Sequence, residues 1–114
     1  MVVNWQEFLG EAVKALGTLA KGNPGIMDGY KALDGAGSAH GALDLKTREL
    51  ISLAVAATTR CDTCIGLHAQ AAAEAGASRA ELLEALAVAI TLNTGAAFVY
   101  SSRILDAYDT FSNK

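Results

Sequence analysis

The sequence predicts an all-α fold, one domain spanning residues 1–114 and built as a six-helix bundle. Three observations predict it. Apolar residues recur at three- and four-residue spacing, residues that cap helices stand at the breaks, and no strand-like alternation of useful length occurs. A chain of 114 residues is one domain in size and long enough to bury a core unaided. It contains no internal repeat and no low-complexity tract.

The elements follow in order. Asn4 can cap a first helix whose Trp5, Phe8, Leu9, Ala12, Val13, Leu16 and Leu19 form one apolar stripe. Asn23-Pro24 reads as a capped start with proline at the first helical position. That second helix should run to about Ala36, ended by Gly35 and Gly37. Asp44 caps a third helix over about Leu45 to Thr59. Cys61 opens a fourth that runs to about Ala75, with Gly76 as its stop. Ser78-Arg79-Ala80-Glu81 fits a capping box for a fifth, about Arg79 to Leu92. Asn93-Thr94-Gly95 then reads as a break before a sixth helix ending near Phe111.

The third helix is the most informative. On a wheel of about 100° per residue it is apolar nearly all round, which predicts burial. Glu49 falls on the arc between Leu45 and Leu53. A carboxylate there costs several kcal/mol, on the order expected for a buried charge, unless something compensates. It either reaches a solvent gap, pairs with Arg48 or Arg60, or serves a neighbouring site.

Composition bounds the function. Apolar residues make up 52% and charged residues 18%, an apolar balance for so small a domain. A second subunit is the simplest place for the surplus, so a homo-oligomer, trimer or hexamer, is expected. The net charge is −3 with no cluster of Lys or Arg, which argues against nucleic acid. The first residues lack the basic and apolar regions of a secretory signal, and no run approaches the roughly 18 apolar residues that span a bilayer. A cytoplasmic protein with no membrane partner is expected. In a reducing compartment, two cysteines three apart are chemistry rather than staples.

Those cysteines lie in Cys61-Asp62-Thr63-Cys64-Ile65-Gly66-Leu67-His68. On a helix, Cys61, Cys64 and His68 share one face over two turns. First-turn N–H groups and the helix dipole favour thiolate over thiol. His68 can take a proton near neutrality, and a buried Glu49 could orient it. Rival readings are weaker. A thioredoxin fold needs a strand before the motif, where Leu53 to Ala57 look helical. A c-type haem needs His where Ile65 stands. Zinc on Cys61, Cys64, His68 and Glu49 crowds three ligands into eight residues of one helix. Two buried cysteines acting as small hydrophobes would leave the shared face a coincidence. Neither a metal nor a cofactor is expected.

Leu43 to Ala56, then Cys61-x-x-Cys64-Ile65-x-x-His68, then Ala75-Gly76-Ala77-Ser78-x-x-Glu81 resembles the AhpD-like, or carboxymuconolactone decarboxylase, family. The resemblance is strong over about residues 43–92. It implies an all-helical, oligomeric protein. With the cysteine pair present, it implies an alkylhydroperoxidase or protein disulfide reductase. It also implies roles: Cys64 attacks the peroxide, Cys61 resolves, and Glu49 with His68 relays the proton. The substrate would be a hydroperoxide or a disulfide, and the electron donor a thiol, as on a protein. Thr63 stands where the best-known peroxidase members carry a second histidine. The alternative is a non-redox member, either a decarboxylase-like acid–base enzyme or a small-molecule binding protein. A substrate acid would need a cationic clamp, for which Arg60 and Arg79 are the nearby candidates. His40, in the Gly-rich segment 35–41, is expected to be exposed. Trp5, Tyr30, Phe98, Tyr100, Tyr108 and Phe111 are expected to pack the core or a subunit interface.

Overall fold

A computed structural model describes residues 3–112, and its described residues form helices only. There are five: α1 (Trp5–Gly22), α2 (Pro24–Ser38), α3 (Leu45–Thr59), α4 (Asp62–Glu74) and α5 (Arg79–Ser112). The expected six become five because α5 runs unbroken through Asn93-Thr94-Gly95. Those side chains bond back to their own helix. Asn93 Nδ2 donates to the Ala89 carbonyl at 2.7 Å, and Thr94 Oγ1 donates to that of Ile90 at 2.9 Å. With its polar atoms satisfied locally, the triplet weakens the helix without ending it. Gly95 alone costs about 1 kcal/mol relative to alanine.

The caps hold the other boundaries. Asn4 accepts from the Glu7 N–H at 3.1 Å and Asp44 from the Thr47 N–H at 2.7 Å. Pro24 occupies the first turn of α2, but the Asn23 side chain makes no capping bond, and α2 continues past Gly35 and Gly37 to Ser38. Gly76, at φ +84°, stops α4, and the Ala77 N–H donates to the Ala72 carbonyl at 3.0 Å. Ser78 and Glu81 form the reciprocal capping box, with bonds of 2.9 and 3.0 Å.

Lys46 on α3 also meets Glu81, with Nζ 2.8 Å from the carboxylate. The lysine first, then the Ser78 bonds, hold the Glu81 carboxyl down at about 2. Because that lies below its ordinary 4.5, the stability it lends is present above about pH 4.5 and is lost as pH falls toward about 2. Acid unfolding of Glu81→Gln should therefore lose part of this dependence, and curves identical to wild type would show that the contact contributes nothing.

The turn between α3 and α4 is two residues wide, Arg60 and Cys61. Arg60 sits at φ 55°, in the left-handed region, and the Cys61 N–H donates to the Ala56 carbonyl at 3.3 Å. This delivers Cys61 directly to the start of α4. A non-glycine residue there carries about 1–2 kcal/mol of strain. Arg60→Gly should relieve it and, net of glycine's greater unfolded freedom, raise stability by about 0.5–1 kcal/mol in urea unfolding.

α3 packs against both α4 and α5, while α1 lies against α2 and α4. The buried residues are small: Leu53, Ala56, Gly66, Ala72 and Ala89. Gly66 is where α1 crosses α4, and a Cβ there would lie 2.6 Å from a Leu9 methyl. The expectation that α3 is buried all round is not met, since Leu45, Ile51 and Val55 are about half exposed. One chain supplies α3 with only two partners, and its remaining faces stay open. Trp5, Tyr30, Phe98, Tyr100, Tyr108 and Phe111 are likewise exposed and form no core within the chain. Trp5 stacks edge-on against Phe8 at 5.8 Å. By length and mean composition α5 is long and apolar enough to cross a membrane, although polar residues interrupt it and it holds no unbroken apolar run of that length.

Candidate active site

Four side chains singled out in the sequence come from two adjacent helices. Cys61 is the N-cap of α4, and its sulfur accepts from the Cys64 N–H at 3.2 Å. Cys61 and Cys64 are joined by a disulfide, their Cα atoms 5.2 Å apart. The first turn of α4 therefore holds both sulfurs. On reduction the same N–H and the helix dipole would meet a Cys61 thiolate, which accepts more strongly than a neutral sulfur.

His68 stands one turn beyond Cys64 on α4. Its Nδ1 lies 2.6 Å from Glu49 Oε2 on α3. An ionised carboxylate can only accept, so Nδ1–H is the donor in this bond. Glu49 is the more enclosed partner, with 13% of its side chain exposed against 35% for His68. Of the three fates open to Glu49, the structure selects pairing with the neighbouring site, and neither Arg48 nor Arg60 forms an ion pair with it. The extended Asp44 cap and the tight Arg60 turn set the registers of α3 and α4 that make this pairing possible.

A cleft of about 430 Å³ opens on the pair. Arg48, Asp34, His40 and Ile51 line it together with Glu49 and His68, while the two cysteines lie outside its wall. His40 is exposed, as expected, and still reaches this cleft. The cation beside the site is Arg48, whereas Arg60 and Arg79 are not among its lining residues. Arg48 donates to the Gly37 carbonyl at the end of α2, at 3.3 Å. Sequence reasoning missed it because a helix neighbour of Glu49 points about 100° away, and only the placement of α2 brings the two to one cleft. Among the described residues, no group of three or more His, Cys, Asp or Glu side chains could hold a metal ion.

Comparison with known proteins places the chain in a family. An uncharacterized protein of Haemophilus influenzae is 51% identical over 108 residues, covering 95% of this chain and 96% of its own. An uncharacterized protein from the cox locus of Paracoccus denitrificans is 36% identical, covering 87% and 89%. The crystal structure of an apo carboxymuconolactone decarboxylase family protein from Legionella pneumophila superposes with a TM-score of 0.72. It is 35% identical and covers 95% of this chain and 96% of its own. The model of the carboxymuconolactone decarboxylase family matches residues 24–107, a span that includes the four candidate residues. The chain belongs to the carboxymuconolactone decarboxylase family.

Proposed function

We propose that the protein is a dithiol redox enzyme that cycles between Cys61/Cys64 thiols and the Cys61–Cys64 disulfide to reduce an organic hydroperoxide or a disulfide. The observation that carries this reading is the disulfide in the first turn of α4, one turn from a hydrogen-bonded histidine–carboxylate pair. With a hydroperoxide, the Cys64 thiolate attacks the distal oxygen and the O–O bond breaks. Sulfur is oxidised by two electrons to a sulfenic acid. The departing alkoxide takes a proton from the His68–Glu49 pair and leaves as the alcohol. The Cys61 thiol then attacks the Cys64 sulfur. The disulfide forms, and the hydroxyl group leaves with that thiol's proton as water. A donor dithiol, as on a partner protein, restores both thiols by exchange and becomes a disulfide itself.

Catalytic consumption of cumene hydroperoxide, or of a small aromatic disulfide, in the presence of dithiothreitol tests the reading. Turnover with either substrate is expected, and its absence with both would remove the proposal.

One observation favours a second reading. The cleft on Glu49 and His68 takes in Arg48 and leaves the sulfurs outside, an arrangement suited to acid–base chemistry on an anionic ligand. A Cys61→Ser/Cys64→Ser double variant separates the two. It should be inert in the dithiol assay, and under the second reading it would keep its full affinity and activity toward a carboxylate substrate.

A further inference from the structure

The cleft on Glu49 and His68 holds a cation with no counter-ion among the described residues. Arg48 is half-buried, and it is the one Lys or Arg among the cleft's lining residues. A guanidinium offers five N–H donors in a planar fork, and the bond to the Gly37 carbonyl occupies one of them. The two carboxylates of the same wall do not serve it. Glu49 is held by His68 at 2.6 Å, and Asp34 stands exposed on α2.

A second cavity adjoins the cleft. Its volume is about 570 Å³, it shares Arg48, Glu49 and His68, and it adds the apolar side chains of Leu45, Leu67 and Ala71. On the α4 wheel, Cys64, Leu67, His68 and Ala71 share one face about 100° wide. Apolar wall, histidine and sulfur therefore follow one stripe. About 6 Å of helix axis separates His68 from Cys64, comparable with the span of one aromatic ring substituted at both ends.

We propose that Arg48 is the subsite for a carboxylate of the substrate, so that the hydroperoxide or disulfide reduced at Cys64 is an organic acid with its charge about one ring from the reacting bond. For the reacting bond this rests on the dithiol reading, and the carboxylate itself is bound but not transformed. A planar carboxylate meets the guanidinium fork through two parallel hydrogen bonds. His40, exposed in the same wall, supplies a further donor. Asp34 limits the charge of the ligand, because the second negative charge of a phosphate would meet its carboxylate. The organic body lies against Leu67 and Ala71, which aims its reactive end along α4 toward Cys64.

Calorimetric titration of the oxidised protein with 4-isopropylbenzoate, 4-isopropylbenzamide and 4-isopropylphenyl phosphate tests the subsite without any turnover. The benzoate should bind at least about tenfold more tightly than the other two, the gain expected of a charge-assisted pair. Arg48→Gln should erase that preference and Arg48→Lys should keep part of it, with helical circular dichroism unchanged. The wild-type comparison alone stays decisive if a variant loses structure. Reduced protein is then given cumene hydroperoxide or its para-carboxylated form, with dithiothreitol. The acid should show a kcat/KM at least about tenfold higher, and Arg48→Gln should bring the two values together. Equal affinity for benzoate and benzamide, tighter binding of the phosphate, or a preference that survives Arg48→Gln would each overturn the proposal. So would turnover that does not favour the acid. A benzoate preference lost in Arg48→Gln, with no turnover of any hydroperoxide or disulfide, would uphold the carboxylate subsite and remove the dithiol reading instead.

Discussion

Replacing Cys64 with serine is expected to abolish turnover of hydroperoxide and disulfide alike, a loss of at least about 10³-fold, because it removes the attacking thiolate and the Cys61–Cys64 disulfide that closes the cycle can no longer form. Cys61→Ser should behave differently. The first oxidation should proceed, since Cys64 and the His68–Glu49 pair remain, but the cycle should stop at a Cys64 sulfenic acid with no partner for the disulfide. Trapping with dimedone and mass mapping checks this residue by residue. Adduct at Cys61 in Cys64→Ser, with none at Cys64 in Cys61→Ser, would exchange the roles. The structure makes that comparison worthwhile because its cues divide: Cys61 caps the helix, whereas Cys64 lies one turn from His68.

The second large effect concerns the relay. Glu49→Gln keeps the side chain's shape and can still accept a hydrogen bond from Nδ1–H, but it removes the charge that stabilises a protonated His68. His68→Ala removes the base itself. General acid–base groups contribute about 10²–10⁴-fold, so His68→Ala should slow disulfide formation at neutral pH by that order, and Glu49→Gln by about 10²-fold. Both deficits should shrink at high pH, where thiols ionise without help. The measurement is the pH dependence of alkylation at each cysteine of the reduced protein. Superimposable wild-type and Glu49→Gln profiles would reduce Glu49 to a tolerated, enclosed acid.

Much of this site is legible in the sequence, for local reasons. Cys61, Cys64 and His68 are ordered by helical period alone, and Asp44, Gly76 and the Ser78/Glu81 box fix where α3, α4 and α5 begin or end. Glu49 is suspect because it interrupts an apolar helix, and the chemistry and the family resemblance point to His68 as its partner; the contact itself depends on how α3 lies against α4. Arg48 reads in sequence only as a possible ion-pair partner of Glu49, and His40 only as an exposed residue of a Gly-rich segment, because their shared cleft forms only where the end of α2 meets α3. The break at Asn93 to Gly95 was misread because polar side chains satisfied by their own helix look, in sequence, like loop formers. The exposure of α3 and α5 was illegible for a different reason. Hydrophobic pattern states that a face must be covered, not whether the same chain covers it.

The central claim is that Cys61 and Cys64 form one redox unit. The most direct test is to reduce the protein fully, add one equivalent of organic hydroperoxide, and count thiols while weighing the intact chain. The account predicts two titratable thiols before and none after, a mass lower by about 2 Da, and a single Cys61–Cys64 disulfide in the peptide map. Two thiols still titratable after peroxide, or one cysteine carried to sulfinic acid while the other stays free, would contradict it.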